Sequence, residues 1–167
     1  MNSLSSLLLR FLTLMFLQAF IFDPFVLGVA YAPFIYVLLL IFIPNDWPSW
    51  VVLLVGFFIG LSADIIFFSG GVHTIACLIV SFARPLLIRA VYRDTLSPKD
   101  LKIEHEPFGN LFLYAIVIVL VHHLFLFISI VVTLNRLGWL LSAWAANSIL
   151  TILAVSFILL LSRNSKS

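Results

Sequence analysis

The sequence predicts an all-α integral membrane protein, a bundle of six transmembrane helices. Three observations predict it. Of the 167 residues, 63% are hydrophobic and 10% are charged, with a mean hydropathy of +1.23; a soluble domain is roughly half apolar and about a quarter charged. A domain this small keeps too much surface exposed to hide so many apolar side chains in an interior, so lipid is the solvent for most of the chain. The apolar runs are continuous and do not alternate, which points to helices and away from barrel strands. Six runs approach the roughly 20 residues that cross about 30 Å of hydrocarbon. They cover 4–22, 26–43, 50–68, 72–92, 111–134 and 139–161, so the chain 1–167 reads as a single polytopic membrane domain.

The first run, SLSSLLLRFLTLMFLQAF, is longer than a signal-peptide core, and no Lys or Arg precedes Arg10, so it is expected to stay as a span. Thr13 and Gln18 are candidates for interhelical hydrogen bonds. Asp23-Pro24 turns the chain into the second run. That run begins near Gly28, contains Pro33 and closes at Pro44, and is expected to be kinked, short or partly re-entrant. Pro44-Asn45-Asp46-Trp47-Pro48 turns into the third run, with Trp47 and Trp50 at interface depth. Ser69-Gly70-Gly71 joins the third run to the fourth. The connection 93–110 is mixed in charge and bounded by prolines, and reads as a solvated loop with a short interfacial helix at 98–104. Asn135 to Gly138 turns the last hairpin, and the tail from Arg163 is polar.

Charge orients the bundle. With six spans, both termini and the 44–49 and 93–110 connections share one side. That side carries Arg89, Arg93, Lys99, Lys102, Arg163 and Lys166, with Arg10 in reach, against Arg136 on the other. Positive residues mark the cytoplasm, so both termini are expected there. The net charge of +2 suits anionic lipid and gives no sign of nucleic acid. The one cysteine, Cys77, falls inside the fourth span and reads as a small hydrophobe.

The chemistry-bearing residues are few. Gly56, Gly60 and Asp64 follow at i+4 steps on one helical stripe, where small residues let helices approach closely. Asp64 is either a structural acid bonded across the hairpin to the 69–71 turn or to His73, or a proton- or substrate-handling group. Arg84-Pro85 is either a kink with a snorkelling anchor or a substrate-binding arginine. Its depth separates it from Asp64. His122 and His123 lie about 100° apart around a helix and do not share a face for one ion. His122 does share one with Ser129 and Thr133, as a polar seam toward another helix. Ala143, Asn147, Thr151 and Ala154 form a small, polar stripe, with Asn147 as interhelical glue. No nucleophile–base pair, phosphate-cradling loop or metal-ligand spacing is present in the sequence, so no enzyme, cofactor or metal is expected.

The order of these features resembles the rod shape-determining protein MreD family. Gln18 ends the first span; Pro33 opens FIYVLLLIFIP, which closes at Pro44; GFFIGLSAD, a Gly-rich turn at Gly71 and HTIACLIVSFARP follow; Asn147 stands in the last span. Gly71-Val72-His73, Ala83-Arg84-Pro85 and His122-His123 look most like members from Bacteroidota-type bacteria. The likeness covers nearly the whole chain and is most specific over 33–85. It departs where many relatives break the last helix with Trp-Pro soon after the Asn; here Ser148-Ile149-Leu150-Thr151 runs on.

The resemblance implies a non-enzymatic scaffold of the cell-wall elongation machinery in the bacterial cytoplasmic (inner) membrane. Its partner would be the bitopic protein MreC. Through MreC it would reach the RodA glycosyltransferase, a class B penicillin-binding protein and the actin-like MreB. The family also looks like the substrate-binding S components of energy-coupling factor (ECF) vitamin transporters, with a similar six-helix fold, which supplies the alternative function. The first span lacks the Ala-x-x-x-Ala motif usual in S components, and the outer loops are short for a vitamin site. A third, weaker reading is an intramembrane enzyme or lipid carrier using Asp64 and His73.

Overall fold

A computed structural model describes residues 3–22, 31–92, 101–103, 106–130 and 137–164. Six helices appear there: α1 (Ser3–Phe20), α2 (Val37–Ile41), α3 (Ser49–Phe67), α4 (Val72–Val91), α5 (Phe108–Ile130) and α6 (Leu137–Asn164). No strand occurs among the described residues. Four helices, α3 to α6, are long and apolar enough to cross a membrane, and α1 is an apolar helix of lesser length. The chain is thus an all-helical bundle of membrane composition.

The second run departs from a full span. Residues 31–36 are not helical, and α2 covers five residues only. Pro33 is the cause: it has no N–H to give a helix, and its ring pushes the preceding residue toward extended backbone. Residues 23–30 lie outside the described part. The stretch 31–43 is the innermost part of the protein, with every residue of α2 buried. α2 touches α1, α4 and α5.

The hairpin of α3 and α4 is the most extensive helix pair. Its turn reverses the chain with three left-handed residues, Phe68 (φ 51°), Gly70 (φ 70°) and Gly71 (φ 104°). Glycine adopts these angles freely. Phe68 ends α3 in this conformation with its ring 94% exposed.

Below the turn the two backbones nearly touch. A Cβ on Gly60 would fall 2.8 Å from both the His73 carbonyl oxygen and the Thr74 amide nitrogen, and closer still to Thr74 Cα. These are backbone atoms with no rotamer to escape into. A Cβ on Gly56 would collide with the Ser81 hydroxyl, a side-chain atom that can rotate, while Cys77 O lies 3.3 Å away.

One expectation about the connections changes, and one about α1. Leu101 accepts a hydrogen bond from Asn45 Nδ2 at 2.8 Å and Ile103 is buried, so this part of the 93–110 connection folds back on the bundle and is not fully solvated. Most of the expected helix at 98–104, like the 135–136 part of the last turn and His105, lies outside the described residues. Thr13, expected to bond another helix, is exposed on α1. Arg10 stands over the ring of Phe42, 4.9 Å from its centroid.

The hairpin geometry predicts an order of sensitivity. Gly60→Ala should lower the thermal midpoint of the detergent-purified protein by the equivalent of roughly 1–3 kcal/mol, the usual cost of overpacking. Gly56→Ala should cost less, because its severe clash is with the rotatable Ser81 hydroxyl and the Cys77 carbonyl must give only slightly. The reverse order would show that close backbone approach is not what Gly60 supplies.

Candidate functional site

The polar residues of the interior converge on the non-helical stretch. An extended chain repeats about every 6.6 Å over two residues, and a helix rises about 6 Å over four. Ala32 and Phe34 present amides at the first interval, and Asn147 and Thr151 present oxygens at the second. Ala32 N–H donates to Asn147 Oδ1 at 3.3 Å and Phe34 N–H to Thr151 Oγ1 at 2.9 Å. The side chains of α6 thereby stand in for a neighbouring strand. Pro33 lies between these two donors and needs no partner for a nitrogen.

On the other side, Gln18 of α1 donates from Nε2 to the carbonyls of Pro33 and Phe22, each at 3.2 Å. Its Oε1 accepts from Tyr36 N–H at 3.4 Å. Arg84 completes the set at the C-terminal end of α2. Its Nη2 donates to Ile41 O at 3.2 Å and Ile43 O at 2.6 Å, and its Nε to the Tyr114 hydroxyl at 3.3 Å. These carbonyls have no following helical turn to bond them, and a cation is favoured at a helix C-terminus. The snorkelling anchor expected at Arg84 is therefore replaced by an inward-pointing cap, 3% exposed. The next residue, Pro85, faces the surface within an α4 that runs on to Val91.

Asp64 does for α4 what a capping side chain would do. The residue before α4 is Gly71, which has no side chain to cap with. Asp64 Oδ1 accepts from Ser69 Oγ at 2.5 Å and His73 N–H at 3.0 Å. Oδ2 accepts from Thr74 N–H at 2.9 Å and Thr74 Oγ1 at 2.5 Å. A carboxylate on the first free amides of a helix is favoured both by hydrogen bonding and by the dipole. Asp64 and Arg84 make these separate sets of bonds and do not meet.

Tyr36, which the sequence reading did not single out, links three helices. Its hydroxyl lies 2.5 Å from His73 Nδ1 and 3.1 Å from His122 Nε2. Cys77 Sγ is 3.7 Å from the same His122 nitrogen. The tautomers that leave no buried N–H unpaired have Tyr36 donating to His73 and His122 Nε2–H donating to Tyr36. His122 Nδ1 is then a bare acceptor, in keeping with its lack of a partner. His123 points elsewhere, with Nδ1 3.1 Å from Ser148 Oγ and Nε2 unpartnered. The expected seam of His122 with Ser129 is not formed: Ser129 bonds Phe125 O of its own helix, and Thr133 lies outside the described residues. Phe34 sets its ring edge-on against both His73 and His123, and Phe67 stacks on His73. Among the described residues no group of three His, Cys, Asp or Glu side chains is placed to hold a metal ion.

Of the residues singled out in the sequence, Gln18, Arg84 and Asn147 meet at the buried stretch. His73 and His122 meet at Tyr36. Gly60, Asp64 and Gly71 hold the hairpin beside it, and Gly56 packs on Ser81. Comparison with protein-family models, curated proteins and solved structures gives no match.

Substitutions at two positions test this arrangement. Thr151→Val leaves the buried Phe34 N–H unpaired and should cost roughly 1–3 kcal/mol, while Thr151→Ser keeps the acceptor and should be near neutral. Equal melting of both variants would show that Phe34 N–H does not depend on Thr151. Asp64→Asn keeps one acceptor oxygen but turns an N–H toward Thr74 N–H, so it should fall between wild type and Asp64→Leu in thermal stability. An Asp64→Asn variant as unstable as Asp64→Leu would make charge, and not acceptor number, the property that matters.

Proposed function

We propose that this chain is a non-enzymatic scaffold of the MreD type, multi-pass in the bacterial cytoplasmic membrane with both termini in the cytoplasm. In this reading it docks MreC and, through it, joins RodA, a class B penicillin-binding protein and MreB in control of peptidoglycan synthesis. One observation supports the reading above others. The residues that carry the resemblance, Gln18, Pro33, Gly60, Asp64, Arg84 and Asn147, all act on the buried stretch or on the hairpin beside it. Their polar atoms, Arg84 Nη1 apart, are engaged with backbone and side chains of this same chain. Residues used in this way fix the outline of a bundle. Recognition then rests on shape, and in lipid a close fit with a few hydrogen bonds holds a partner helix.

The test is purification of a tagged copy from its native membranes in mild detergent, with co-purifying proteins identified by mass spectrometry. MreC, RodA or the penicillin-binding protein should be enriched. Recovery of an ATPase pair with a coupling membrane protein would instead assign an ECF transporter S component. Gly60→Leu should reach the membrane fraction yet recover several-fold less MreC. Undiminished recovery would separate the hairpin packing from partner binding.

A further inference from the structure

The 44–48 turn, the start of α3 and the second half of α4 enclose a cavity of about 440 Å³. Its polar side is unfinished. Pro85 has no N–H to return to the Ser81 carbonyl one turn earlier. The Ser81 hydroxyl, on a residue 3% exposed, is turned to Gly56 and, like Asn45 Oδ1, is buried away from the cavity. Arg84 lines the same space. Its Nε and Nη2 are taken by Tyr114 and by the carbonyls of Ile41 and Ile43, which leaves Nη1 for the cavity. Arg89, exposed, adds a second cation to the lining. Pro48 supplies no side-chain cap to α3, so the positive end of that helix also borders the cavity near Ser49.

No acidic side chain lines the cavity among the described residues. Arg84 is thus a buried cation held there by neutral oxygens alone, a costly arrangement at membrane depth unless an anion joins it. The rest of the wall selects what carries that anion. Val52, Leu53 and Ile88 are apolar, and Phe82 lines the cavity while 79% exposed on the flank of α4. The cavity therefore joins a cationic floor to a surface suited to hydrocarbon.

We propose that this cavity binds the headgroup of an anionic phospholipid. The phosphate would sit on Arg84 Nη1 and Arg89, with an acyl chain along Phe82 and Leu53. The site is independent of the docking of MreC.

The full chain is delipidated in detergent and offered phosphatidylglycerol or phosphatidylcholine, with bound lipid counted by native mass spectrometry. Phosphatidylglycerol should be retained with a clear preference. Arg89→Gln, at an exposed position outside the structural bonds, should lower that retention about fivefold, the effect of one basic residue near an anionic headgroup. Arg163→Gln, which removes a cation from the end of α6, should leave it unchanged. Equal retention of the two lipids, or equal loss in the two variants, would overturn the site. Displacement of the lipid by inorganic phosphate would overturn the lipid assignment and leave a free-anion site.

Discussion

A peptide group deep in a membrane bundle must find its hydrogen bond within the protein, and residues 31–36 face that constraint with no helix to meet it. Much of the interior polarity follows from this. An unsatisfied buried amide costs about 1–3 kcal/mol, so several together would exceed what a marginally stable fold tolerates. The answer is side chains at matched intervals: Asn147 and Thr151 from one side, Gln18 from the other, and Arg84 where α2 runs out. The match depends on two repeat lengths, four residues of helix and two of extended chain, that happen to agree within about an ångström. A shift of α6 by one residue would carry both oxygens away from their amides together.

The same constraint explains why the hairpin of α3 and α4 is so tight. α4 carries both His73, which meets Tyr36, and Arg84, which closes α2. Its position along the bundle must therefore be fixed. Gly60 sets the distance, since the His73 and Thr74 backbone occupies the space a side chain would take. Asp64 sets the register, since its two oxygens fit the amides of His73 and Thr74 and no others. The stripe Gly56, Gly60, Asp64 is thus a placement device, with the acid acting on the next helix.

Much of this was legible in the sequence, and the part that was not has a clear cause. Hydropathy revealed the four long helices, and the i+4 stripe revealed the face that packs on α4. Asp64 reads in the sequence either as a structural acid or as a proton- or substrate-handling group, and the bonds across the hairpin that the first reading expects are present. Pro33 marked the second run as irregular. What periodicity does not register is an extended segment inside a helical bundle, because a helical wheel pairs helix faces with helix faces. Asn147 and Gln18 were therefore read as bonding other helices, when their partners are largely backbone. Arg84 reads in the sequence as a snorkelling anchor or a substrate-binding arginine, and the free carbonyls of α2 that it caps have no signature of their own. Tyr36 was passed over as one more apolar residue in FIYVLLL, although a tyrosine in such a run is a polar group that needs a partner.

The two polar regions of the interior differ in how completely they are satisfied, and that difference carries functional meaning. Around the extended stretch, donors are met: the amides of Ala32, Phe34 and Tyr36, and those of His73 and Thr74 at the hairpin. The leftover groups there, His122 Nδ1 and His123 Nε2, are acceptors walled in by aromatic rings. A network with these donors paired specifies one arrangement and resists change. Beside the 44–48 turn the opposite holds. There a guanidinium edge lines one open space with no acidic partner among the described residues. The first region is architecture. The second is the place on this molecule where something from outside can still lower the free energy.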